Sequence, residues 1–145
     1  MSRVTVYVPA DAGALAVGAQ AVAQAIIVEA RTRNLDIHMV RNGSRGLYWL
    51  EPLVEVLVDG HRLAYGPVQA RDVASLFEAD FLHGGKHGLA LGPTEDLTWL
   101  RQQERLTFRR VGVNDPSSLD DYLAHDGYAG LRRALEMAPA AGRVP

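Results

Sequence analysis

The 145-residue chain carries 15 Lys and Arg against 17 Asp and Glu, a formal net charge of −2, so no global field draws it to nucleic acid or to a membrane surface. An apolar fraction of 48% and a charged fraction of 22% fit a soluble globular protein with one core and the start of a second domain. Cysteine is absent, which excludes disulfides, thiolate nucleophiles and Cys-ligated zinc or iron–sulfur centres on this chain. No apolar run approaches the roughly 18 residues that span a bilayer. The opening "MSRVTVYVPAD" lacks the apolar centre of a secretory signal. A cytoplasmic protein is expected.

"RVTVYV" (3–8) alternates and is rich in β-branched residues, the pattern of a strand. Pro9 stops it, and Asp11 is placed to cap a helix. From Ala12 to Arg31 one helix is expected, with Leu15, Ala19, Val22, Ile26 and Ala30 on its apolar face. Gly13 and Gly18 each cost that helix about 1 kcal/mol relative to Ala. A close helix–sheet contact at Gly18 would explain the tolerance. Asn34 is the expected stop.

"LDIHMVR" (35–41) reads as the second strand. "PLVEVLV" (52–58) and "HRLAYG" (61–66) read as a hairpin, because Asp59-Gly60 between two strand-like runs is a strong turn signal. "VQARDVASLFEADF" (68–81) reads as a helix with Val73, Leu76 and Phe77 inward and Leu82 beyond them. The order β-α-β-β-β-α predicts an α/β, thioredoxin-like module over residues 1–92.

From His83 the composition turns glycine-rich and loop-like, and a domain boundary is expected near Gly92. Beyond it a mostly helical or irregular extension (93–145) is expected. "EDLTWLRQQERL" (95–106) suits a short helix. "TFRRVGVNDPSS" looks extended and turn-rich, and "SLDDYLAHDGYAGLRRALEM" suits one or two helices capped by Ser118 or Asp120. "APAAGRVP" has no pattern to tie it down.

No residue set assembles a catalytic, cofactor-binding or metal site. The "NGSRG" turn, with Arg41 and Arg45, could cradle an anion, but its glycines lack P-loop spacing and a structural turn is the better reading. His83 and His87 lie four apart, yet Gly84-Gly85 between them disfavours the helix that would make them converge. His38 and His125 have no visible nucleophile to serve. Asp120-Asp121 reads as a helix start. Tyr48, Trp49 and Trp99 are not interleaved with a basic stripe, so packing or interface roles outrank nucleic-acid stacking.

Together the loop, the hairpin and the downstream helix resemble the thioredoxin-like [2Fe–2S] ferredoxin module of NADH dehydrogenases. That family holds one cysteine pair, separated by four residues, where the first strand meets the first helix. A second pair, C-x-G-x-C, precedes a "PxVxV" run. Anchored on "PLVEV", the second pair falls on Ser44 and Tyr48 of "SRGLY", with Gly46 in the motif's glycine place. Anchored on Gly18, the first pair falls on Pro9 and Ala14. The resemblance implies a fold that persists without its cluster, with Tyr48 or Trp49 filling the vacated volume.

"RNGSRGLYWLEPLVEV", "FLHGGKHGLALGPTEDLTWLRQQERLTFRRVGV" and "DPSSLDDYLAHDGYAGLRRAL" look like the N-terminal part of the β subunit of soluble NAD-dependent formate dehydrogenases. There a cluster-free module precedes a flavoprotein core similar to the NADH-oxidising subunit of complex I. The family's glycine-rich FMN segment and four-cysteine cluster motif do not occur here, so the C-terminal stretch is expected to be a linker and the truncated start of the FMN/NADH-binding domain. The resemblance implies an intact complex with a molybdenum or tungsten cofactor in a catalytic α subunit, iron–sulfur clusters, FMN, NAD, and a γ subunit carrying a [2Fe–2S] cluster. This chain would carry no cofactor and act as a docking module, with Arg41, Arg45, Tyr48 and Trp49 as interface candidates. The alternatives are a free-standing thioredoxin-like adaptor or an anion- or nucleotide-binding module.

Overall fold

The computed structural model describes residues 3–137; the "APAAGRVP" tail lies outside them. Five strands form one sheet: β1 (Val4–Tyr7), β2 (Ile37–Val40), β3 (Val54–Val58), β4 (His61–Tyr65) and β5 (Ala90–Pro93). Their order is β2-β1-β3-β4-β5. β1 and β2 run parallel, with Val6 opposite Met39, and every other pairing is antiparallel. The parallel pair demands a crossover, which α1 (Ala12–Ala16) and α2 (Ala19–Thr32) supply. Asp59 and Gly60 both take positive φ (49° and 81°) at the β3–β4 turn, the backbone that a two-residue hairpin of matching twist requires.

Strand alternation sorts the side chains to two faces. Val6, Val8, Val54, Val56 and Tyr65 point to one, where they are buried with Val22, Ile26 and Ala30 of α2 and Val73, Leu76 and Phe77 of α3 (Val73–Glu78). Phe81 closes this core, edge-on to both Phe77 and Tyr65, with ring centroids 5.0 and 5.8 Å away. Tyr65 keeps its hydroxyl satisfied by donating to Gly85 O at 2.9 Å. Gly85 itself lies against Ala79: a Cβ there would meet Ala79 O at 1.6 Å. Gly85→Ala is therefore expected to cost more than about 2 kcal/mol, because backbone rather than a flexible side chain would have to move. Urea unfolding measures this directly.

The opposite face carries a smaller core of Leu47, Leu53, Ala64 and Leu100, with Leu50, Leu91 and Leu97 packed against it. Its cover comes from the β2–β3 loop and from Leu97 and Leu100 at α4 (Thr98–Arg101) in the C-terminal extension, which goes on through turns to α5 (Leu119–Ala124) and α6 (Ala129–Glu136). Ser118 caps α5 through Oγ, as the sequence suggested.

Several expectations are corrected. The single helix at 12–31 is two helices, because Gly18 takes φ 102° and breaks the run. No atom lies within 4 Å of a Cβ placed at Gly18, so left-handed backbone rather than a close sheet contact explains the glycine. The break rotates α1, leaving Leu15 42% exposed and burying Ala14 instead. The glycine-rich stretch after His83 is not all loop: residues 90–93 form β5, so position 92 lies inside the sheet. The helix expected over 95–106 shrinks to Thr98–Arg101.

Candidate functional site

Two loops meet where the parallel strands end. The β1–α1 loop and the long β2–β3 loop are zipped by Val8 N donating to Val40 O and Ala10 N to Asn42 O. Arg41 clamps the same junction, donating to Val8 O, Pro9 O and Gln20 Oε1. It is half-buried and spent on its own chain. Asp11 caps α1, its Oδ1 accepting from Gly13 N (3.0 Å) and Ala14 N (3.3 Å). The glycine turn is tied internally as well, with Gly46 N donating to Ser44 Oγ.

Ser44 Oγ in turn donates to Glu51 Oε1 at 2.7 Å, and Leu53 N donates to Glu51 Oε2 at 2.9 Å. Burial pushes the Glu51 carboxyl above its ordinary value. Its two hydrogen bonds oppose that rise, while the carboxylates of Asp11 and Glu55 add to it. A carboxyl with a raised value holds its proton more tightly in the folded chain than in the unfolded one. Its contribution is therefore fully present below the unfolded value and is lost as pH climbs through the folded value. Glu51→Gln removes that titration and keeps the shape. The stability of the wild type relative to this variant is expected to fall as pH rises from ordinary carboxylate values upward. Urea melts across about pH 4–8, starting from the reference carboxyl value, read it.

Glu55 is central to the second face of the sheet. Wholly buried, it receives Arg45 Nε at 2.9 Å on Oε1, Arg45 Nη2 at 3.4 Å and Arg62 Nη1 at 2.9 Å on Oε2. Arg45 also reaches Glu95 Oε1 at 2.8 Å. Arg62 lies 3.5 Å over the Tyr7 ring and donates to the carbonyls of Gly112 and Val113. Asn42 Nδ2 binds the same Gly112 carbonyl at 2.8 Å. One buried carboxylate thus fastens the β2–β3 loop, the hairpin and the extension together. Arg45, expected as an interface anchor, is buried in this network and is corrected to an internal tie.

The four positions matched to cluster ligands cannot hold iron. Pro9 and Ala14 are buried and offer no donor atom, and Ser44 Oγ is committed to Glu51 and Gly46. Thiolates are what such clusters require, so a [2Fe–2S] group does not fit this donor set. The two aromatics do not fill the vacated space: Tyr48 is 67% and Trp49 60% exposed. Trp49 instead stands edge-on to Trp99, with centroids 5.9 Å apart. Beside them opens a cleft of about 460 Å³ lined by Asp11, Ser44, Tyr48, Trp99, Arg105 and Phe108, among others.

The histidines do not converge. His83 Nδ1 pairs with Asp80 at 2.7 Å, whereas His87 Nε2 lies 3.1 Å from Ser75 Oγ. Leu89 N donates to His87 Nδ1 and Ser75 Oγ donates to Asp72 O. These bonds place the proton on His87 Nε2, so the imidazole donates to the serine and is no base for it. His125 Nδ1 is occupied by Asp121, and His38 lies exposed on β2. Among the described residues no group of three or more His, Asp or Glu is arranged to hold a metal ion. No described helix is long and apolar enough to cross a membrane.

Sequence reading missed Glu55, Glu95 and Phe108 as members of this region, and it grouped Trp99 with Tyr48 and Trp49 without showing that Trp99 meets Trp49. Only Glu55 had a signal, a lone carboxylate within the apolar run "PLVEVLV".

The fold is that of the thioredoxin-like [2Fe–2S] ferredoxins. The ferredoxin of Aquifex aeolicus superposes with a TM-score of 0.53 at 20% identity, over 63% of this chain and 99% of the ferredoxin. A cysteine-to-serine variant of it gives 0.52 at 22% identity, over 61% and 98%. No family model matches the chain. Among proteins of known role, the chain is similar to the NADP-reducing hydrogenase subunit HndC of Solidesulfovibrio fructosivorans, with 48% identity over 40 residues. That stretch is 28% of this chain and spans 8% of the subunit's length.

Proposed function

We propose that the chain is a non-catalytic docking module, the N-terminal part of the β subunit of a soluble NAD-dependent formate dehydrogenase. The cluster-free module takes in the sheet through β5, and the residues after it are the linker and the start of the FMN/NADH-binding domain. The observation that carries this reading is a ferredoxin fold on a chain without cysteine, whose loops are tied by their own ion pairs; in this reading the four ligand places are those of Pro9, Ala14, Ser44 and Tyr48. The local identity to a hydrogenase subunit supports membership of a redox complex. In the proposed assembly, formate oxidation and NAD⁺ reduction belong to cofactors held elsewhere: a molybdenum or tungsten centre in the α subunit, iron–sulfur clusters including that of the γ subunit, and FMN. This chain supplies placement, through Arg41 at the loop junction and through the exposed Tyr48 and Trp49.

Anaerobic incubation of the purified chain with iron and sulfide, and then titration with FMN and NADH, tests the non-catalytic part of this reading. The expected result is no visible charge-transfer absorption and flat titrations. A bound cluster, or saturable nucleotide binding, would contradict it and favour a cofactor carrier.

A further inference from the structure

Asp11 divides its carboxylate between two environments. Oδ1 is engaged by the first turn of α1, while Oδ2 is buried without a hydrogen-bond partner. A buried acceptor left unmet is costly, and an ionised one has most to gain from a donor supplied later. The residue lines the cleft that opens beside the former cluster loop. Tyr48 is its neighbour across Gly13: a Cβ at Gly13 would lie 3.2 Å from Asp11 Oδ1 and 3.4 Å from Tyr48 Cε1. Trp99 and Phe108 line the same cleft, and all three rings are largely exposed.

The cations already in the wall do not answer Asp11. Arg45 is turned to Glu55 and Glu95, and the Arg105 guanidinium lies 3.9 Å from Glu95. Arg41 donates to backbone carbonyls and Gln20. Glu51, the other nearby carboxyl, has both oxygens occupied and is pushed toward its neutral form. One unanswered carboxylate oxygen among aromatic faces is a receptor for a flat, weakly hydrated cation, which stacks on the rings while donating to the acid.

We propose that this cleft receives an arginine side chain of a partner subunit, its guanidinium donating to Asp11 Oδ2 between Tyr48, Trp99 and Phe108. This deepens the docking reading and rests on it. Tyr48, beside Asp11 across Gly13, is mostly in solvent, so its ring is free to change rotamer as the cation enters.

The test titrates the full chain with N-acetyl-arginine amide and with its neutral isostere N-acetyl-citrulline amide, monitoring tryptophan emission, with Trp99→Phe to assign the signal. Saturable binding is expected, at least tenfold tighter for arginine than for citrulline. Asp11→Asn is expected to abolish the difference, while its side-chain oxygen keeps the cap of α1 and an unchanged thermal melt verifies the fold. Equal responses to the two probes, a flat titration, or an arginine preference that survives in Asp11→Asn would overturn the proposal. A flat titration by a chain that still co-purifies with formate dehydrogenase subunits overturns the arginine site alone. Arginine-selective binding by a chain that joins no such complex overturns the docking reading alone.

Discussion

Glu55→Gln is expected to destabilise the chain by about 3–5 kcal/mol, the range for breaking a buried pair by removing one partner. The substitution preserves shape and strips two guanidinia of their buried counter-charge, leaving Arg45 only the largely exposed Glu95. Arg45 suffers more, since only 3% of its side chain is exposed, against 15% for Arg62. Arg62 also retains the Tyr7 ring and two carbonyls. Arg45→Met leaves Glu55 its second partner, Arg62, and should cost less; the two losses should not add, because both variants remove the same Arg45–Glu55 pair. Urea unfolding of both single variants and the double variant measures the coupling. A loss for Glu55→Gln below about 1 kcal/mol would place the pair in the range of solvent-screened surface bridges and refute its role as the tie between sheet and extension.

The second large effect is on assembly. Tyr48→Ala and Trp49→Ala should each weaken binding to partner subunits by about 2 kcal/mol, the threshold of an interface hot spot, or roughly 30-fold in Kd. Together they should abolish it. Both rings are mostly exposed, so the stability of the isolated chain should shift by only about 0.5 kcal/mol. That separation is the diagnostic one. A role in packing alone would lower the melting temperature and leave subunit affinity unchanged, and that result would remove these residues from the interface.

Most of the sheet was legible because alternation and turn chemistry are local. β1 and β3 announce themselves by β-branched runs, and Asp59-Gly60 marks the turn that leads from β3 into β4. β5 was not legible. "ALGP" carries neither alternation nor β-branched residues, and it joins the sheet through backbone pairing to β4 at a register shift. The break at Gly18 was hidden for a related reason: an alanine-rich stretch is apolar on every side, so periodicity could not show where α1 rotates away. The resemblance assigns ligand places to Pro9, Ala14, Ser44 and Tyr48, but it carries no information on what surrounds them. Arg45 looked like a surface cation in a turn, yet its partners lie ten and fifty positions away, at Glu55 and Glu95. Trp99 meets Trp49 across the same distance in sequence. Such pairings are set by the folded sheet and its covering extension, and no short-range pattern encodes them.

The most direct measurement is co-purification. The tagged chain would be expressed with the α and γ subunits of an NAD-dependent formate dehydrogenase, isolated intact, and its composition determined by mass spectrometry beside the Tyr48→Ala/Trp49→Ala variant. The expected result is a stoichiometric complex containing both subunits for the wild type and its loss for the variant, with the variant chain still folded. A wild-type chain recovered free of both subunits would contradict the docking account.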